Sequence, residues 1–125
     1  PKGTIEWMGF LETNKLQREL GKCRALINTP KWNEAYGNVV VEALACGVPV
    51  VAYKRGGPSE IIMHGETGYL AEPDNKEALV SYLANISIIE RKRCRDWVER
   101  NASTDIFANK VVNWLNKVIN EYKKY

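Results

Sequence analysis

One histidine and three cysteines in 125 residues leave this chain poor in metal ligands. Cys23, Cys46 and Cys94 stand far apart and are odd in number, with no Cys-x-x-Cys pair, so neither a structural zinc site nor a disulfide framework is expected. No apolar run approaches the roughly 18 residues of a membrane helix, and no signal peptide opens the sequence. The expected compartment is therefore the reducing cytoplasm. Excess charge is lacking too: +3 overall is too mild to argue for nucleic acid, although it suits an anionic small molecule. Repeats, low-complexity tracts and linkers do not occur. What remains, 45% hydrophobic and 26% charged residues, is the composition of an ordinary soluble globule. The length suits one domain that buries about two-thirds of its unfolded surface, and is too short for a two-domain enzyme.

The apolar pattern alternates between two kinds of element. Thr4-Ile5-Glu6-Trp7-Met8 reads as a first strand, and Thr13 as the cap of a helix with Leu16, Leu20 and Cys23 on one face. Ala25–Thr29 is short, apolar and stopped by Pro30, which makes it a buried strand. Val48–Tyr53 is another. Lys54-Arg55-Gly56-Gly57-Pro58 turns into a short helix at 59–62, and His64–Gly68 is a tight loop before a small strand at Tyr69-Leu70. From about residue 74 the chain becomes helical. Asp74 with Glu77 resembles a capping box, a second helix holds Cys94, Trp97 and Val98, and a third from about Thr104 places Phe107, Val111, Trp114, Leu115, Val118 and Tyr122 on one stripe, read as core. The Arg91-Lys92-Arg93-Cys94-Arg95 cluster is read as a solvated helix face, with peripheral contact to an anionic membrane or acceptor as the alternative. The fold class expected is α/β, a Rossmann-like parallel sheet flanked by helices with a helical tail.

Between the strand at 25–29 and Gly47 lies the most informative stretch. Glu34 and Glu42 stand eight positions apart around Gly37, where an apolar run begins that closes on Cys46, Gly47 and Pro49. A helix starting near Tyr36 or Gly37 would leave several backbone N–H groups unpaired and point its positive end at the loop, so the amides of Gly37, Asn38 and Val39 could hold a diphosphate without a metal. Glu34 would sit in the loop at the carboxyl end of the strand, where open α/β sheets bind ligands, and Glu42 one to two turns into the helix. Glutamate is also a good helix former. A carboxylate within a helix that reads as buried on most faces is costly unless paired, and this brings a functional role for Glu42 level with a structural one.

Three motifs in order, Glu34–Ala52, Gly56-Gly57-Pro58-Ser59-Glu60-Ile61-Ile62 and His64–Leu70, resemble the E-x7-E core of family-4 retaining glycosyltransferases. The resemblance runs from Trp7-Met8-Gly9-Phe10 to about Ile86. It implies the carboxyl-terminal, donor-binding half of a GT-B fold. By the same resemblance Glu34 faces the donor sugar near its anomeric carbon as the catalytic-site carboxylate, Ala35, Tyr36, Gly37, Asn38 and Val39 serve sugar and diphosphate, and Glu42 binds the ribose. Gly9, Phe10 and Leu11 match the place of the nucleobase. Ala35 and Tyr36 replace the more usual Gly-Phe, and Asn38 stands where an aliphatic residue is commoner.

The resemblance also implies a retaining, metal-independent hexosyltransferase using an NDP-sugar as substrate, with no cofactor; UDP-glucose is the first choice of donor, from family frequency. The acceptor would bind an amino-terminal domain outside this sequence, and the Gly-rich turn and Arg/Lys pair that neutralise the diphosphate would precede Pro1. The 125-residue chain by itself is accordingly expected to be inactive. Lys54, Arg55 and His64 do not match those positions and are read as salt-bridged or solvated. Two other classes remain open: a non-catalytic nucleotide-sugar-binding module, and a GT-B-type sugar-nucleotide epimerase.

Overall fold

The computed structural model describes residues 3–33 and 36–123. Helices and strands alternate as α1 (Thr13–Lys22), β1 (Leu26–Asn28), α2 (Asn38–Ala45), β2 (Val50–Tyr53), α3 (Pro58–Ile61) and β3 (Gly68–Ala71), followed by helices alone: α4 (Lys76–Ala84), a 3₁₀ turn Ile86–Ile88, α5 (Arg91–Asn101) and α6 (Thr104–Tyr122). The strands form one sheet in the order β1-β2-β3. Both pairings are parallel, with Ile27 opposite Val51 and Val51 opposite Tyr69. The expected α/β class and parallel sheet are therefore observed.

Central β2 is buried at every position, which explains its continuous apolar sequence: a parallel strand covered on both faces has no solvent side to mark with polar residues. Val40, Ala43 and Leu44 of α2 and Cys94 and Val98 of α5 join it in one core. Val40, Leu44, Val50 and Val51 are wholly excluded from solvent.

Two basic side chains tie this core to the helix ends. Arg91 Nη1 and Nη2 donate to the carbonyls of Cys23 and Gly21, both at 2.7 Å, where α1 has just ended. Arg95 Nη1 donates to the carbonyl of Ala45 at 2.9 Å, at the end of α2. A helix terminus leaves such carbonyls without intrahelical partners and is negative in potential, so a guanidinium there is favourable twice over. Lys92 meanwhile pairs with Asp96. Arg91 and Arg95 of the basic cluster are thus committed to the fold.

Five local expectations need correction. The strand expected at 25–29 forms as β1, but it is not buried: it lies at the edge of the described sheet, with Ile27 exposed. Thr4–Met8 forms no strand, because no described strand lies beside it to complete a ladder; Ile5 and Trp7 are exposed. The cap of α1 is Glu12, without a side-chain bond, and Thr13 is its first helical residue. The cap of α4 is Asn75, whose side chain accepts from Ala78 N–H, while Asp74 takes a left-handed φ of 65° and turns to Arg55. Finally, α6 buries none of its residues, and Phe107, Trp114 and Tyr122 are exposed. Its stripe is a real helical face, but no described element covers it.

Candidate functional site

The carboxyl ends of β1 and β2 open onto two loops that meet. After β1 the chain returns to Gly37, the cap of α2, in the left-handed conformation with φ 87°. After β2 it turns through Gly56 and Gly57 into α3. Gly57 lies so close to the first loop that a Cβ there would stand 2.5 Å from the Tyr36 carbonyl oxygen. A Cβ on Gly37 would stand 3.0 Å from Pro58 Cγ. Each loop therefore needs the other's glycine, and together they set where α2 begins.

That beginning is open. No side chain caps α2 and no acidic residue occupies its first turn. The carbonyl of Gly37 accepts from Val40 N–H at 3.0 Å, whereas helix geometry leaves the amides of Asn38 and Val39 without acceptors of their own. Asn38 and Val39 are exposed residues at the positive end of the helix. Tyr36 is half exposed beside them. Glu34 and Ala35 lie outside the described residues.

Glu42 differs from expectation. It is exposed and free of ion pairs among the described residues, so the cost of burying a carboxylate does not bear on it. The face of α2 it occupies looks away from the core. It borders instead a cavity of about 140 Å³ between α2 and α1, lined also by Thr13, Leu16, Gln17 and Leu20. Gly9, Phe10 and Leu11 come just before α1, with Gly9 left-handed and Phe10 exposed. The structure thus gathers Gly37, Asn38 and Val39 at one end of α2, and Glu42 with the start of α1 along its flank.

Two donors at this edge were given no site role in the sequence reading. Asn28 Nδ2, at the end of β1, and Arg55 Nε, after β2, are buried without partners among the described residues. Arg55 reaches Asp74 with its other nitrogen, Nη2 to Oδ2 at 2.9 Å, in keeping with the salt-bridged reading. His64 belongs to a different set: its Nδ1 accepts from Leu70 N–H at 3.0 Å, and its ring meets Tyr69 and Tyr82 edge-on. Among the described residues no group of three or more His, Cys, Asp or Glu stands close enough to hold a metal ion. Cys46 is half-buried, and the buried thiol is Cys94.

Known proteins share parts of this sequence and of this fold. The sucrose synthase of Acidithiobacillus caldus is 35% identical over 101 residues, covering 78% of this chain and 13% of that protein. A sucrose synthase of Solanum tuberosum is 36% identical over 87 residues, 66% of this chain and 11% of its own. The chain thus spans little more than a tenth of these curated relatives. Among solved structures, Anabaena HepE in complex with UDP and glucose superposes with a TM-score of 0.76 at 21% identity, covering 93% of this chain and 33% of that one. TarM superposes with a TM-score of 0.67 at 26% identity, over 81% of this chain and 22% of its own. The fold is that of part of a GT-B glycosyltransferase domain. The family model for glycosyl transferases group 1 matches residues 1–104, and the chain belongs to that family.

Proposed function

We propose that this chain is the donor-binding part of a retaining, metal-independent hexosyltransferase of family 4 that uses UDP-glucose. The observation that carries this is the uncapped start of α2, held at the carboxyl edge of a parallel sheet by the reciprocal packing of Gly37 and Gly57, with Glu42 beside a cavity on the same helix. HepE, which shares the fold, has been crystallised with UDP and with UDP-glucose.

In this reading the diphosphate of the donor lies against the amides of Gly37, Asn38 and Val39. Charge that develops on the departing phosphate oxygen meets fixed donors and the positive helix end, which need no reorganisation as the sugar–oxygen bond breaks. Glu42 accepts hydrogen bonds from the ribose hydroxyls. Glu34 holds the hydroxyls of the sugar so that its anomeric carbon is presented to the acceptor on the face that preserves configuration. The nucleobase lies toward Gly9, Phe10 and Leu11. The acceptor binds a further domain, and the reaction takes place in the cytoplasm.

Calorimetric titration of the full-length protein with UDP, GDP and ADP and their glucose conjugates tests the donor. UDP should bind most tightly. Release of UDP from UDP-glucose only when an acceptor is added marks transfer; a new sugar nucleotide without net UDP release would mark an epimerase, and neither event a binding module.

A further inference from the structure

We infer a second carbohydrate-binding site, specific for a neutral oligosaccharide, on the edge of the sheet opposite the start of α2. A cavity of about 310 Å³ opens there, lined by Glu66, Thr67, Arg93, Trp97, Arg100 and Asn101. Thr67 directly precedes β3, and its carbonyl accepts from Val50 N–H at the amino end of β2, which fixes the cavity at the amino edge. Arg93, Trp97 and Arg100 come from α5 at spacings of four and three, so they share one helix face.

The polar groups of this cavity have unused capacity. Among the described residues neither Glu66 nor Arg100 enters an ion pair, and Arg93 has only a 4.0 Å contact with Glu90. Asn101 donates to the Trp97 carbonyl through Nδ2, which leaves its side-chain oxygen to accept. The half-buried indole of Trp97 adds a flat apolar wall. A second cavity of about 230 Å³ continues past Glu66 and Arg93 to Ile88 and Glu90.

Charge selects among ligands. An anion would meet Glu66 and Glu90, and a cation would meet two guanidinium groups. A neutral polyol avoids both conflicts, because its hydroxyls accept from arginine, donate to glutamate, and leave the C–H face of the ring for the indole. This inference stands on the chemistry of the cleft and not on the proposed donor.

The test uses the full-length protein saturated with UDP, so that the donor site is closed to sugars. Maltotriose and cellotriose are titrated by saturation-transfer NMR, with glucose 1-phosphate and inorganic phosphate as competitors. At least one trisaccharide should bind and resist displacement by either anion. Arg100→Ala and Glu66→Gln, both at exposed positions, should each weaken it about tenfold while UDP affinity stays unchanged. Binding of neither trisaccharide, binding indifferent to both substitutions, or displacement by phosphate would overturn the inference. Failure of UDP to bind would count against the proposed donor alone, since the two substitutions still assign trisaccharide binding to this cleft or away from it.

Discussion

At the scale of single residues, the proposed function rests on two carboxylates with separate roles. Glu42 is exposed on the flank of α2 at the wall of a cavity, free to meet a ligand. If it holds the ribose, Glu42→Gln should weaken UDP binding about tenfold or more, the measure of a lost charge-assisted hydrogen bond, and calorimetry would read it directly. Unchanged affinity would assign Glu42 to the surface. Glu34, by contrast, is assigned through resemblance. Bare UDP has no sugar for Glu34 to hold, so Glu34→Ala in the full-length enzyme should cut kcat strongly while leaving UDP affinity intact. Equal loss of UDP affinity in both variants would refute the division.

Gly57 makes a different demand. Any side chain there meets the Tyr36 backbone at 2.5 Å, and backbone cannot swing aside as a flexible side chain can. Gly57→Ala should therefore displace the loop before α2. The expected cost is about 1–3 kcal/mol in chemical denaturation. If the helix start holds the diphosphate as proposed, UDP affinity should fall further than stability alone explains.

Between elements, α5 does more than its composition suggests. Its arginines bond to the ends of α1 and α2, and its buried face carries Cys94 against the segment entering β3, with Sγ 3.6 Å from the Thr67 carbonyl. Burial pushes the Cys94 thiol up to about 11 from its ordinary 9.0, against the smaller opposing influence of the Arg91 charge. The folded protein therefore holds this proton where the unfolded chain releases it. Stability from that difference is complete below pH 9 and is lost as pH rises toward 11. Denaturation midpoints should fall across that window, and the fall should be smaller in Cys94→Ala. At pH 8, iodoacetamide should label the exposed Cys23 of the native protein and leave Cys94 untouched until denaturant is added.

For the molecule as a whole, the expected reaction draws its positive potential from backbone and side chains. The full-length enzyme should keep its activity in EDTA. Loss of activity that magnesium or manganese restores would sink this mechanism. The 125-residue chain on its own should bind UDP-glucose weakly and transfer nothing, which an assay of UDP release can read. The uncovered stripe of α6, from Phe107 to Tyr122, belongs to this scale as well. Periodicity reports that these residues share a face. It carries no information on what lies opposite.

Local chemistry sufficed for much of the fold. The apolar run ending in Thr29-Pro30, the buried sequence of β2, and the glycines bounding α2 act through neighbours in the chain, so β1, β2 and α2 were legible within one or two residues. The order of motifs was legible for the same reason, and with it the family. Only tertiary structure decided the exposure of Glu42, the exchange of close contacts between Gly57 and Tyr36, and the use of Arg91 and Arg95 as helix clips. The missing strand at 4–8 and the bare face of α6 are of this kind too. A ladder or a core needs a second surface, often distant in sequence, and no window of residues specifies whether that surface arrives.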